Sequence, residues 1–199
     1  MSREKLIEMA LNNKKHSDAG TMEYVDNILE IPAANYYDSD IWQKEVDLIF
    51  KRTPLVLGVS KEIPNPGDYK SIDALGVPVL ITRDSDGNLN AYLNACRHRG
   101  AALVENGIGN KKRFGCPYHG WTYGEDGSLI GIASPEDFGS IDKACKSLVR
   151  LPVLEKAGII WVILTPDSKV DMEKFLFGYD ELLGMFNLSD WHVFSTRVL

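Results

Sequence analysis

Cysteine and histidine are both scarce in this sequence, which has three cysteines and four histidines among its 199 residues. An odd number of cysteines without a disulfide-framework spacing argues against a disulfide-stapled secreted fold and favours a reducing compartment. No apolar run approaches the ~20 residues that span a bilayer. Residues 1–15 lack the unbroken apolar stretch of a secretory signal. The sequence therefore predicts a cytoplasmic protein without a membrane segment.

Positive charge is also in short supply. The 22 Lys and Arg residues against 28 Asp and Glu residues give a net charge of −6, which argues against a nucleic acid or an anionic membrane as partner. Repeats and low-complexity tracts are absent, and a composition of 44% hydrophobic and 25% charged residues is typical of globular proteins. We expect one cored domain, or one domain with flanking pieces.

The hydrophobic pattern divides the chain into three parts. Residues 1–51 follow helical spacing and predict an N-terminal helical arm. Residues 52–165 alternate short β-rich runs with turns, among them Asp86-Gly87 and Asp126-Gly127, and predict an antiparallel domain built from hairpins. Residues 166–199 become helical again and end in a strand-like run. The predicted fold class is mainly β, with small antiparallel sheets and helical segments at both ends.

Individual elements follow from the same pattern. A short helix is predicted to open at Ser134-Pro135, with the serine as cap. The predicted strands are 55–59, 77–82, 89–94, 122–123, 129–132, 148–154, 159–164 and 191–199. The predicted helical faces are Leu6, Met9 and Ala10; Met22, Val25, Ile28 and Leu29 after Thr21; and Trp42, Val46, Ile49 and Phe50 after Ser39 or Asp40.

Two cysteines and two histidines lie in two short segments that each follow a predicted strand. The first runs from Cys96 through His98 to Gly100, and the second from Cys116 through His119 to Trp121. The pattern is C-x-H, then 17 intervening residues, then C-x-x-H. Glycine follows each histidine by one or two positions and lets the chain turn tightly. Two such loops can close on an inorganic cluster from opposite sides.

The ligand types indicate the chemistry of that cluster. Two neutral imidazoles in place of two thiolates on one iron remove two negative charges, so an electron is added more easily. Reduction potentials then move into the range of roughly −150 to +300 mV. The sequence therefore predicts a Rieske-type [2Fe–2S] cluster with Cys96 and Cys116 on one iron and His98 and His119 on the other.

A structural zinc module is the alternative reading of the same residues. Zinc sites usually pair ligands of one kind, as in C-x-x-C with H-x-x-x-H. Here each loop mixes a cysteine with a histidine, which suits a cluster that has one thiolate iron and one imidazole iron.

The two ligand segments resemble those of the α subunit of Rieske non-haem iron oxygenases, the ring-hydroxylating dioxygenase family. Trp42, Phe50 and the stretch 151–162 resemble that family as well, and the resemblance runs from about Tyr24 to Leu199. Respiratory Rieske proteins carry an extra cysteine in each ligand loop, whereas this chain has Ala101 and Tyr118.

The resemblance implies partners for the cluster. A ferredoxin or a flavin reductase would be the electron donor, and a mononuclear iron held by two histidines and a carboxylate would be the acceptor. Family α subunits often form trimers, so a homo-oligomer is one expectation. A stand-alone Rieske ferredoxin, a carrier without catalysis of its own, is the alternative function.

The oxygen-activating iron site is not expected in this chain, and no residue is assigned a catalytic role. His16 is predicted to lie in a solvated turn and His192 to be structural within a strand, so neither joins a second metal site. Residues 166–199 read as the start of a truncated catalytic domain. Whether the chain alone is an enzyme stays open.

Other residues near the ligand segments have secondary roles. Tyr118 and Trp121 are expected to shield the cluster from water, and Cys145 is expected to be a buried or idle thiol on a helix. A concentration of positive charge is either a solvated face or a docking patch for an acidic ferredoxin or reductase. Its residues are Arg97, Arg99, Lys111, Lys112 and Arg113.

Overall fold

A computed structural model describes residues 2–24 and 27–194, and the chain divides into two units, residues 1–39 and residues 40–199. The helices are α1 (Arg3–Ala19), α2 (Ser39–Leu48), α3 (Met172–Leu176) and α4 (Tyr179–Gly184). The strands are β1 (Leu55–Val59), β2 (Asp68–Ala74), β3 (Val77–Arg83), β4 (Leu89–Leu93), β5 (Gly107–Asn110), β6 (Arg113–Gly115), β7 (Thr122–Gly124), β8 (Leu129–Gly131), β9 (Arg150–Leu151), β10 (Val153–Lys156) and β11 (Ile159–Val162). Single 3₁₀ turns lie at Ala33–Tyr36, Phe50–Arg52, Ser60–Glu62, Pro135–Phe138, Ala144–Lys146 and Leu188–Asp190.

The first unit is built on α1. Ser2 caps its start, where the side-chain oxygen accepts a hydrogen bond from the Lys5 N–H, and Gly20 ends it in the left-handed conformation with φ 64°. The predicted helix around Met22 to Leu29 is wrong for its described residues, which are irregular, and Val25 lies outside the described residues. Ile28 and Leu29 are exposed, so helical spacing here buries no apolar face that would stabilise a helix.

The second unit begins with α2, which confirms the helix predicted after Ser39. Val46 is buried, and the rings of Trp42 and Phe50 lie with their centroids 5.6 Å apart. Within the predicted face Val46 is therefore packed inside, whereas Trp42 and Ile49 stay half exposed.

Three small antiparallel sheets form the β-rich part, which confirms the predicted fold class. Their strand orders are β1-β11-β10, β5-β2-β3-β4-β9 and β6-β7-β8. The sequence pattern missed β2, β5 and β6. The segment that forms β2 is largely polar, yet it pairs on both sides, with β3 and with β5, so cross-strand hydrogen bonds rather than hydrophobicity make it a strand.

The five-stranded sheet lies between two hydrophobic cores, and β3 shows this most clearly. Val79 and Ile81 enter a first core with Ile160 of the β1-β11-β10 sheet. Leu80, on the opposite face of β3, enters a second core with Phe114 of the β6-β7-β8 sheet. A strand that is covered on both faces reads as a continuous apolar run instead of an alternating one, as β3 does.

Residues 166–194 contribute two short helices. Asp171 caps α3 by accepting a hydrogen bond from the Lys174 N–H, and Leu176 packs in a third core with Ile159 and Trp161. The predicted strand at 191–199 is wrong for residues 191–194, which are irregular, and its remaining residues lie outside the described ones. Within residues 2–24 and 27–194, no helix is long and apolar enough to cross a membrane.

Both predicted hairpin turns are confirmed, but their surroundings differ. Gly87 joins β3 to β4 with φ 85°, and Gly127 joins β7 to β8 with φ 76°. A Cβ on Gly87 would meet nothing within 4 Å. A Cβ on Gly127 would clash with Cε1 of Tyr92, a fully buried side chain in the second core. The β7–β8 turn is therefore pressed against the central sheet.

This difference gives a paired stability prediction. We expect Gly127→Ala to lower the free energy of unfolding by at least about 3 kcal/mol, because the left-handed backbone and the clash with Tyr92 add together. The control Gly87→Ala carries only the backbone strain and should lose about 1 kcal/mol. Urea unfolding of both variants checks this, and equal losses would contradict the close approach of the turn to Tyr92.

Candidate metal centre

The two ligand loops are six-residue turns closed by the same two backbone hydrogen bonds. In the first, the Cys96 N–H donates to the Ala101 carbonyl over 2.8 Å and the Gly100 N–H donates to the Cys96 carbonyl over 2.8 Å. In the second, the Cys116 N–H donates to the Trp121 carbonyl over 2.7 Å and the Gly120 N–H donates to the Cys116 carbonyl over 3.1 Å. The spacing C-x-H and the spacing C-x-x-H are thus two versions of one turn.

Glycine has a defined place in both turns, four residues after the cysteine. Gly100 has φ 77° and Gly120 has φ 65°, which are left-handed conformations that favour glycine. A Cβ on Gly120 would also lie 2.7 Å from the Cβ of Ala133. The glycines noticed in the sequence therefore close the turns.

The structure brings the four predicted ligand residues into one place. Cys96 and Cys116 are buried in the second core, with 3% and 5% of their surface exposed. His98 and His119 are partly exposed, and their ring centroids are 4.6 Å apart. The thiols therefore face the interior and the imidazoles face the surface, so the two ligand types are separated as two unlike irons require.

Unpaired polar atoms test whether these residues fit a [2Fe–2S] cluster. Six buried side-chain nitrogen or oxygen atoms of the described residues have no hydrogen-bond partner, and three of them belong to this site: Nδ1 of His98, Nδ1 of His119 and Nε1 of Trp121. An unsatisfied buried polar group costs about 1–3 kcal/mol, so three together indicate a missing binding partner. An imidazole nitrogen lone pair is an iron ligand, and an inorganic sulfide is an acceptor for an indole N–H. The residues fit the cluster.

The geometry is less suited to a single metal ion. In the part of the chain that the structure describes, no three His, Cys, Asp or Glu side chains are grouped so as to hold one ion. A tetrahedral zinc site needs its donors at about 2.0–2.3 Å from one point. A two-iron cluster instead takes one pair of donors at each iron, and two buried cysteines with two partly exposed histidines provide two such pairs.

Tyr123 is a site residue that the sequence reasoning missed. Its buried hydroxyl lies 3.4 Å from Sγ of Cys96 and accepts a hydrogen bond from the Arg97 N–H over 2.9 Å. Burial raises the pKa of Tyr123, and the hydrogen bond with Cys96 raises it further. The hydroxyl is therefore protonated at neutral pH and is the donor toward a Cys96 thiolate. No spacing in the sequence marks Tyr123, because its contacts with Cys96 and Arg97 join the two loops across the fold.

Aromatic side chains surround the histidines. Trp121 is buried and stacks on His98, with ring centroids 5.2 Å apart and planes 12° apart. Tyr118 lies over His119 with ring centroids 3.7 Å apart, but 61% of its surface is exposed. Trp121 is therefore an interior wall of the site, whereas Tyr118 covers His119 from the solvent side.

The surroundings of His98 lower its pKa. Burial lowers the pKa of His98, and the His119 ring, Arg99 and Lys146 lower it further. The neutral imidazole that a metal ligand must be is the favoured form. Lys146 was not predicted, because it comes close to His98 only through the fold.

The predicted basic residues are all exposed and belong to two separate segments of the chain. Arg97 and Arg99 lie within the first ligand loop. Arg113 pairs with Gly124, at the end of the β6–β7 hairpin away from the second ligand loop, and Lys111 lies over the Tyr69 ring at 5.3 Å from its centroid. Lys112 lies between these two in the chain.

The remaining histidines and the third cysteine lie outside the site. His16 lies in α1, near its C-terminal end, and not in the loop that was predicted. Its Nδ1 is 3.0 Å from Oγ1 of Thr21. His192 is exposed and irregular rather than in a strand. Cys145 lies in a 3₁₀ turn and is exposed rather than buried, and its thiol donates to Asp142 over 3.0 Å. That hydrogen bond raises the pKa of the Cys145 thiol, so it is a poor nucleophile.

Comparison with known proteins identifies the domain. The family model described as "Rieske [2Fe-2S] domain" matches residues 53–147. Chlorobenzene dioxygenase subunit alpha from Cupriavidus sp. (strain PS12) is 36% identical over 152 residues, which cover 74% of this chain and 34% of that protein. Benzene 1,2-dioxygenase subunit alpha from Pseudomonas putida is 34% identical over 142 residues, which cover 71% of this chain and 31% of that protein.

Solved structures give the same result. Naphthalene 1,2-dioxygenase from Rhodococcus sp. superposes with a TM-score of 0.72 at 32% identity, covering 78% of this chain and 36% of that one. The apo form of a quaternary ammonium Rieske monooxygenase superposes with a TM-score of 0.71 at 31% identity, covering 78% of this chain and 45% of that one.

The chain spans about a third of the length of the curated relatives that it matches, and the match includes both ligand loops. It therefore carries a Rieske [2Fe–2S] domain and corresponds to the N-terminal part of the α subunits of ring-hydroxylating oxygenases.

Proposed function

We propose that this chain takes up single electrons from a ferredoxin or a flavin reductase and delivers them to a mononuclear iron that its described residues do not form. The observation that carries the proposal is the site's polarity: two thiols are buried and two imidazoles face the surface. When bound, the cluster supplies a one-electron couple in the range of roughly −150 to +300 mV.

We propose Cys96, His98, Cys116 and His119 as the ligands, with no catalytic residue in this chain. The imidazoles offer a route for electrons to the surface, because their rings lie between the buried cysteines and solvent. Trp121 and Tyr118 would keep water from the site on the two sides where they stack.

We also propose that the three parts read from the sequence, residues 1–51, 52–165 and 166–199, are an arm, the Rieske domain and the start of a catalytic domain. The last assignment is supported by exposed apolar side chains in the described part of that segment. They include Phe175, Phe177, Tyr179, Leu182, Met185 and Phe186. A cytoplasmic location and a homo-oligomer remain part of the proposal. The names of the dioxygenase relatives, which are α subunits, support assembly with other subunits.

A stand-alone Rieske ferredoxin is the alternative function. The exposed apolar residues after Pro166 favour the oxygenase component, because such residues mark a surface that packs against a further domain, which a small electron carrier does not have. The two functions differ in the acceptor: a carrier reduces a separate protein, whereas the oxygenase component serves an iron in its own assembly.

The cofactor is tested by metal and sulfide analysis of ligand variants. We expect about two irons and two acid-labile sulfides per chain and an EPR signal after reduction with dithionite. Cys116→Ser should lose most of the iron and the signal. The control Cys145→Ser should keep both, because Cys145 lies outside the site. Stoichiometric zinc without a redox signal would support the zinc module instead.

Tyr123 gives a prediction for the reduction potential. Its hydroxyl donates toward Cys96 and favours the more negative, reduced state, so Tyr123→Phe should lower the midpoint potential by about 40 mV. That shift corresponds to about 1 kcal/mol for a one-electron couple. The control Tyr92→Phe also removes a buried hydroxyl, one without a hydrogen-bond partner. Redox titration of both variants checks the prediction, and equal shifts would contradict it.

The basic residues give a prediction for the donor. We propose that Arg97 and Arg99 attract an acidic ferredoxin or reductase more strongly than Lys111, Lys112 and Arg113 do, because the two arginines lie in a ligand loop. In stopped-flow reduction, Arg97→Gln with Arg99→Gln should slow the bimolecular step several-fold at low salt. The triple change of Lys111, Lys112 and Arg113 to Gln should matter less. Reduction rates independent of ionic strength would contradict electrostatic docking.

A further inference from the structure

Residues 133–147, which we call the strap, lie between β8 and β9 in the chain and contact both ligand loops. At its start, Ala133 lies against the second loop, since a Cβ on Gly120 would be only 2.7 Å from the Ala133 Cβ. Further on, the ring of Phe138 lies against the first loop, with its centroid 5.3 Å from that of His98. The strap therefore touches the loops from which both histidines come.

The strap's backbone is shaped to present Phe138. Ser134 adopts a left-handed conformation with φ 48° just before Pro135, and Gly139 adopts one with φ 66° just after the 3₁₀ turn Pro135–Phe138. Within that turn the Asp137 N–H donates to the Ser134 carbonyl over 3.0 Å. The 3₁₀ turn that carries Phe138 is thus bounded on both sides by a residue with positive φ.

Phe138 completes an aromatic enclosure of His98. Trp121 stacks flat on the imidazole, while the Phe138 ring stands nearly perpendicular to it at 86° and contacts Trp121 as well, with centroids 5.7 Å apart. The His119 ring is the third neighbour at 4.6 Å. Phe138 and Ile141 are partly buried and pack against the core that contains both cysteines.

We propose that Phe138 is a positioning residue that limits the access of water to the imidazole side of the cluster site and thereby helps to set its reduction potential. The inference rests on cluster binding and does not depend on which protein donates or accepts the electron. Tyr118 is too exposed to exclude water alone, and Trp121 covers His98 from the interior. Phe138 is the partly buried strap residue whose ring contacts both His98 and Trp121.

The sign of the effect follows from the charges. With two thiolates and two neutral imidazoles, the oxidised site is neutral and the reduced site carries one negative charge. Water stabilises the charged state more than the neutral one. Removing the ring of Phe138 should therefore admit water, favour the reduced state and raise the midpoint potential.

The experiment is a graded series, Phe138→Leu, Phe138→Val and Phe138→Ala, in the full chain. Midpoint potentials are measured by redox titration, and water access is measured as deuterium modulation in pulsed EPR of the reduced protein after exchange into D₂O. We expect the potential and the deuterium modulation to rise together as the side chain shrinks, with Phe138→Leu close to wild type. The series keeps the test informative if Phe138→Ala loses iron, because the two larger variants must already follow the trend.

The matched control is Phe177→Ala, which removes a ring that is 86% exposed and belongs to the segment after α3. It should leave both readouts unchanged. A Phe138 series that retains wild-type iron, potential and modulation would overturn the shielding role while leaving cluster binding intact. Potentials that shift without added deuterium modulation would also overturn it, since water access is the stated cause.

Discussion

The site depends on two six-residue turns, each of which begins at a cysteine and is closed by hydrogen bonds of that cysteine's backbone N–H and carbonyl groups. The cysteine N–H and the glycine N–H four residues later are both used inside the turn. The thiol is thereby directed into the core, and the following histidine is left at the surface edge. Main-chain hydrogen bonds therefore fix the shape of each turn, and with it the places of its cysteine and its histidine.

The sheets hold these turns at a fixed separation. One turn follows β4 of the five-stranded sheet, and the other joins β6 to β7 of a three-stranded sheet. The second core fills the space between these sheets with Leu80, Tyr92, Phe114 and Tyr123, all fully or almost fully buried. The β7–β8 turn presses on Tyr92 at Gly127. A change in this core therefore alters the distance between the two ligand loops as well as the stability of the fold.

The sequence was most informative where a function depends on local spacing. The four proposed ligand residues stand out in the sequence because each pair lies within one turn, and the hairpins could be predicted because Asp-Gly favours their backbone conformation. Tyr123 and Phe138 reach the site only through the tertiary fold, so spacing alone did not identify them. The polar strand β2 was missed because pairing with its neighbouring strands, and not its own hydrophobicity, makes it a strand. The helix predicted around Met22 to Leu29 was wrong because apolar residues at helical spacing form a helix only where a surface is present for them to pack on.

Ligation of one iron by two histidines distinguishes a Rieske cluster from other [2Fe–2S] clusters, and it can be measured directly. The chain is produced with ¹⁵N-labelled histidine as the only labelled residue, reduced with dithionite and examined by electron–nuclear double resonance. We predict coupling to two histidine nitrogens, one each from His98 and His119, which both have an unpaired buried Nδ1. His16→Ala and His192→Ala should leave both couplings unchanged, because these two histidines lie outside the site. A reduced iron–sulfur signal without histidine nitrogen coupling would contradict histidine ligation.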